Sequence, residues 1–143
     1  MPFCSPLLEM FKLILLITSI KQFEEESSVI CTIIINEAPY QKERAYTALR
    51  FARTCVFEGH KTRIFLIENG VYIAKRDQKP ASDQPNFGAF LEDLINDRQE
   101  VKACGVCIKA RGIAESELIS GVKVVTLTDL VEWTATSDKV IVF

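Results

Sequence analysis

A chain of 143 residues, 48% apolar and 25% charged, is of a size that buries about 70% of its unfolded surface on folding. One domain that needs no disulfide or metal staple is therefore expected. The net charge of −2 gives no electrostatic reason for a direct nucleic-acid partner, since such domains carry a basic surplus.

The first 28 residues stand apart from the rest. "PLLEMFKLILLITSIKQFEEESS" holds an apolar stretch from Leu7 to Ile20 with Glu9 ahead of Lys12, the wrong charge order for a secretory signal. At 14 residues with both charges inside it, that stretch is short for a bilayer. An added helix over residues 1–28 is expected, covering an apolar surface of its own domain or of a neighbouring subunit. A membrane-surface anchor is the lesser alternative, and a strand competes because short apolar runs do not separate the two.

From residue 29 the pattern becomes regular. "VICTIII" is a continuous β-branched run, the mark of a strand buried on both faces of a parallel sheet. "NEAP" breaks it, and Pro39 suits the first turn of a helix. "YQKERAYTALRFARTCVF" then places Ala45, Ala48, Leu49, Ala52 and Val56 at helical spacing, and Gly59 ends that helix. "TRIFLI" is the second strand. "ENGVYIAKRDQKPASDQP" is a long connection with one helical turn at "VYIAK", and loops of that length are usually functional or mobile. "NFGAFLEDLINDR" gives a second long helix, "EVKAC" a third strand, "GVCIKARGIAESELI" a turn and helix, and "VKVVTL" a fourth strand. "TDLVEWTATS" is a helix capped by Thr128 with Asp129 in its first turn, and "KVIVF" is the fifth strand. The alternation predicts a three-layer α/β domain over 29–143, with a mainly parallel five-stranded sheet and helices on both faces.

In such sheets, chemistry collects beyond the carboxyl ends of strands where the strand order reverses. Cys104 falls at the end of the third strand. With a flavodoxin-like order the first and third strands flank that crevice, and Asn36, Glu37 and Tyr40 would line it opposite Cys104.

The five cysteines, at 4, 31, 55, 104 and 107, form an odd set with no convincing secretory signal. That argues for a reducing, cytoplasmic compartment over a disulfide framework. Cys31 and Cys55 sit in apolar settings and read as core; Cys4 is assigned no role. The pair in "KACGVCIKARG" admits several readings. A zinc or iron–sulfur site needs further ligands, and the chain offers one histidine, His60, more simply an exposed turn residue, so no metal is expected. A thioredoxin-like dithiol shares the spacing, with a helix start lowering one thiol's pKa. A sulfur carrier would use a thiolate at a strand end to hold a persulfide, with Lys102, Lys109 and Arg111 supplying positive field. Cys107 could then discharge the persulfide as sulfide. The bland reading is two small residues packed where strand meets helix, with Lys109 and Arg111 on a solvated helix face. No glycine-rich phosphate loop is present, and no cofactor is expected.

The stretch from "PYQKERAYTALRFARTCVFEGHKTRIFLIENGVYIAKRDQ" to "VKACGVCIKARGI" resembles the DsrE/DsrF-like proteins of sulfur relay, including TusD-like subunits. The most specific pieces are "ALRFA", "ENGVYIA" and a cysteine followed eight residues later by glycine, in an order that spans about four-fifths of the chain. The resemblance implies a flavodoxin-like subunit that assembles as a homo-trimer or homo-hexamer. It implies a persulfide on Cys104, accepted from a sulfur-donor protein and passed to an acceptor. Cys107 would be a resolving or auxiliary thiol, and Tyr72 would cover the site unless it merely packs beneath the long loop. An oligomeric binding or scaffold protein with incidental thiols, and a Cys104–Cys107 dithiol redox protein, stand as alternatives.

Overall fold

The computed structural model describes residues 5–143; Cys4 lies outside them. Helix α1 (Pro6–Ser27) precedes β1 (Ile30–Ile35), α2 (Glu43–Phe57) and β2 (Lys61–Leu66). A 3₁₀ segment (Glu68–Ala74) and α3 (Phe87–Asn96) lead to β3 (Glu100–Cys104), and α4 (Gly105–Ala110) follows at once. A 3₁₀ turn (Glu115–Glu117), β4 (Val122–Val125), α5 (Leu127–Ala135) and β5 (Lys139–Val142) complete the chain.

The sheet is parallel throughout, in the order β4-β3-β2-β1-β5. Its central strands are β-branched because both of their faces are covered. Ile33, Ile35, Ile64, Leu66 and Val101 point to one side, where α2 packs Ala45, Ala48, Leu49 and Ala52, and α3 packs Phe87, Leu91 and Leu94. On the opposite side Phe65 and Cys104 meet Trp133 of α5, with Ile34, Val125 and Leu130 around them. Burial of each large apolar side chain contributes roughly 1.5–3 kcal/mol, so the two clusters hold the three layers together. The expected α/β class is therefore realised.

The strand order corrects the expected crevice. β2 lies between β1 and β3, so the first and third strands do not flank one cleft. The chain steps from β1 to β4 in one direction and returns to the far side of β1 for β5. Order reverses between β1 and β5, away from Cys104.

Local signals fared unevenly. Gly59, at φ +83, closes α2: its N–H donates to the Val56 carbonyl at 3.0 Å, and that of His60 to Cys55 at 2.8 Å, the paired bonds of a Schellman ending. Pro39 does not open α2, which begins only after extended Lys42. The cap of α5 is Thr126 rather than Thr128; its N–H donates to the Asp129 carboxylate at 3.2 Å. His60 is half-buried, and its Nδ1 accepts from the Val29 N–H at 3.4 Å, so it is a joint between α2 and β1 more than an exposed turn residue.

Helix α1 is apolar around its whole circumference, and its side chains from Leu7 to Phe23 are exposed. None of its side chains, among the described residues, enters either core cluster. Among the described residues, no helix is long and apolar enough to cross a membrane.

Candidate functional site

β3 delivers Cys104 to the carboxyl edge of the sheet, where it becomes the N-cap of α4 in extended conformation. Its Sγ accepts from the Cys107 N–H at 3.4 Å. Spacing of three residues across a cap makes this contact, as an N-cap side chain reaches the third helical amide. Cys107 then projects back toward the 3₁₀ segment, and its own Sγ accepts from the Glu68 N–H at 3.2 Å. Each sulfur thus faces a backbone donor, the arrangement that stabilises charge on sulfur.

Glu68 can present that N–H because it sits at φ +52, in the left-handed region that non-glycine residues seldom occupy. Gly70 fixes the segment against the sheet: a Cβ there would stand 2.0 Å from the Ile35 carbonyl oxygen, so only glycine allows the approach. Arg111 ties the segment to α4. Its Nε and Nη2 donate to Asn69 Oδ1 at 3.1 and 2.8 Å, and its Nη1 donates to the Cys107 carbonyl at 3.1 Å.

The two thiols differ in environment. Cys104 is only 4% exposed, against Phe65 and Trp133. Cys107 is half-buried and contacts both core clusters. Burial pushes the Cys107 thiol above its ordinary pKa and the contact with Cys104 adds to this, while the Glu68 N–H and the Arg111 charge oppose it. Two sulfurs so placed can exchange a bound sulfur atom or close a disulfide.

The other expected residues are only partly brought together. Arg111 is part of the site, whereas Lys109 is exposed on α4. Lys102 lies on the same face as Cys104, but its Nζ donates to Asp129 at 3.0 Å and rests 4.4 Å from the Trp133 ring centre. Its charge is engaged there. Asn36 directly follows β1, its N–H donating to the Phe143 carbonyl at 2.9 Å, and among the described residues neither it nor Glu37 joins the hydrogen bonds of the cysteine pair. Tyr40 is bonded through its hydroxyl to Gln78 at 2.6 Å, and with Tyr72 it lines a cleft beside the thiols rather than covering them. Glu68, Asn69, Phe65 and Trp133 were not foreseen. For Glu68 and Asn69 the signal was present in "ENG" directly after a strand, although nothing in a glutamate announces a positive φ. No three His, Cys, Asp or Glu side chains converge to hold a metal ion among the described residues.

Fold and site together define a parallel α/β domain with a thiol pair at the end of a central strand. The chain belongs to the DsrE/DsrF-like family, whose model matches residues 30–143. It is 52% identical over 114 residues to the uncharacterized protein MK0008 of Methanopyrus kandleri, a match covering 80% of this chain and 93% of that one. It is 36% identical over 113 residues to YchN of Escherichia coli, across 78% of this chain and 96% of YchN. The crystal structure of YchN superposes with a TM-score of 0.75 and 34% identity, over 81% of this chain and 99% of the other. Methanobacterium thermoautotrophicum MTH1491, at 17% identity and a TM-score of 0.68, shares the fold.

Proposed function

We propose that the domain of residues 29–143 is a sulfur carrier that holds a persulfide on Cys104 and passes it to a partner thiol. The Cys104 thiolate would attack the outer sulfur of a donor persulfide, R–S–SH. The donor S–S bond breaks, R–S⁻ leaves, and Cys104–S–SH forms without net oxidation. The observation that carries this reading is the linked pair of sulfurs at the strand end, each with a backbone N–H directed at it. Phe65 and Trp133 would shelter the bound sulfur from stray thiols, while the six-residue α4 would yield to admit a donor, its Val106 78% exposed. Membership of a family generally active in sulfur relay supports the same reading. Donor and acceptor proteins, a trimeric or hexameric assembly and a cytoplasmic setting belong to the proposal.

Incubation of the reduced chain with a sulfane-sulfur donor should add about 32 Da. Cys104→Ser should abolish the gain, and Cys107→Ser should preserve or prolong it. Full loading without Cys104 would refute the assignment. The Cys104–Cys107 contact favours a second reading, a dithiol: Cys107 thiolate attacks Cys104–S–SH, HS⁻ leaves and a disulfide forms. That outcome lowers the mass of the chain by about 2 Da and is reversible by dithiol reductant.

A further inference from the structure

A cleft of about 730 Å³ opens beside the thiol pair, between the β1–α2 loop and the loop that follows the 3₁₀ segment. Its size lies in the range of small-molecule sites, roughly 300–1,000 Å³. Tyr40, Tyr72 and Asn69 line it, and Arg111, which donates to Asn69, also donates to the Cys107 carbonyl. Lys75, Arg76 and Lys79 contribute three positive charges to the lining, against one acid, Asp77.

The lining is held in shape. Gln78 Nε2 donates to the carbonyls of Ile73 and Lys75 at 2.9 and 2.7 Å, and its Oε1 accepts from the Tyr40 hydroxyl and the Gly88 N–H. Tyr40 and Asp77 hold φ +65 and +59, conformations that persist only where the surroundings fix them. Lys75 faces Glu117 at 3.3 Å and Arg76 faces Asp77 at 3.5 Å; the Arg76 pair lies in solvent, where such a pair contributes little and an anionic ligand can displace it, and Lys79 is exposed as well. Asn69 lines the cleft, and its neighbour in sequence, Glu68, donates to Cys107 Sγ.

We propose that this cleft binds an anionic, peptide-like low-molecular-weight thiol in its persulfide form. The carboxylates would meet Arg76 and Lys79, an amide group would meet Asn69, and the sulfur end would reach over Glu68 to the cysteine pair. The persulfide part rests on the carrier reading; recognition of the anionic peptide does not. On transfer, the small thiol leaves as thiolate and the sulfur remains on the protein, as in the balance given above.

The test separates the two claims. S-methylglutathione, which cannot transfer sulfur, is titrated into the full chain by NMR. Binding is expected to shift resonances of the cleft, to survive Cys104→Ser, and to weaken at least about tenfold in an Arg76→Glu/Lys79→Glu double variant. In the same variant, the rate of loading from glutathione persulfide, relative to that from inorganic polysulfide, should fall by a similar factor. Unchanged thermal unfolding certifies the fold, and Arg76→Gln/Lys79→Gln, if the charge-reversed variant unfolds early, tests the same charge. Absence of binding, or binding indifferent to charge reversal, overturns the cleft assignment. Binding that persists while neither donor loads the protein leaves the cleft standing and overturns the carrier reading.

Discussion

A buried thiol resists ionisation because the thiolate loses its hydration, and two cysteines of this chain show the consequence in different ways. Burial raises Cys55 from an ordinary 9.0 to about 11, with the neighbouring Cys31 adding to the shift. Between those values the unfolded chain releases the proton that the folded chain keeps, so stability falls as pH rises through the window. The loss attributable to this thiol should be on the order of 2 kcal/mol. Urea unfolding at the two ends of the window should show it, and Cys55→Ala should flatten the dependence; an unaltered slope would contradict the assignment. Cys107 is also raised, but Arg111 works against the rise. Arg111→Met should therefore move the pH profile of Cys107 alkylation upward and slow labelling at neutral pH. In the parent chain, Cys107 should label well before the more buried Cys104.

Among the elements, the 3₁₀ segment between β2 and α3 matters most to the site, because one of its amides reaches the cysteine pair. Gly70→Ala would force its new methyl group into the Ile35 carbonyl, and the expected cost is about 2–4 kcal/mol. The displaced Glu68 N–H would also free Cys107, so thermal unfolding and Cys107 labelling should change together. A shift in neither would mean that the segment is not wedged against the sheet. The strands were legible in the sequence because β-branched runs such as "VICTIII" suit only a sheet covered on both faces. "EVKAC" coincides with β3, although Val101 is its one β-branched residue. The 3₁₀ segment was only half legible, as a short irregular helix carries no amphipathic period and its left-handed start at Glu68 has no signature. Pro39 misled because the chain turns through left-handed Tyr40 before the helix begins. The cysteine pair was legible by spacing alone, but its partners Glu68 and Asn69 come from another strand–helix unit. Alternation of strands and helices does not encode strand order, so the crevice expected between β1 and β3 was beyond what the sequence states.

At the scale of the molecule, the sheet domain and α1 behave as separate questions. Among the described residues, the domain's two cores draw on residues from 31 onward and on none of α1. α1 offers an apolar surface on all sides, the kind that marks an interaction surface or an aggregation liability. A chain lacking residues 1–28 should unfold at the same temperature by calorimetry and sediment with less self-association; a marked fall in that temperature would show that α1 does support the domain. Acid should weaken the far face of the sheet, since Lys102 holds the Asp129 carboxyl below its ordinary pKa. That contribution is present above the ordinary carboxylate range and is lost as pH falls through the depressed value. Lys102→Met should reduce this part of the acid sensitivity in urea titrations, and an unchanged profile would count against the pair. The central claim concerns Cys104, and its most direct test is peptide-level mass mapping of the reduced parent chain after exposure to a sulfane-sulfur donor. A gain of about 32 Da on the peptide, fragmented to Cys104, is the predicted result; a gain confined to Cys107, or none on either cysteine, would contradict it.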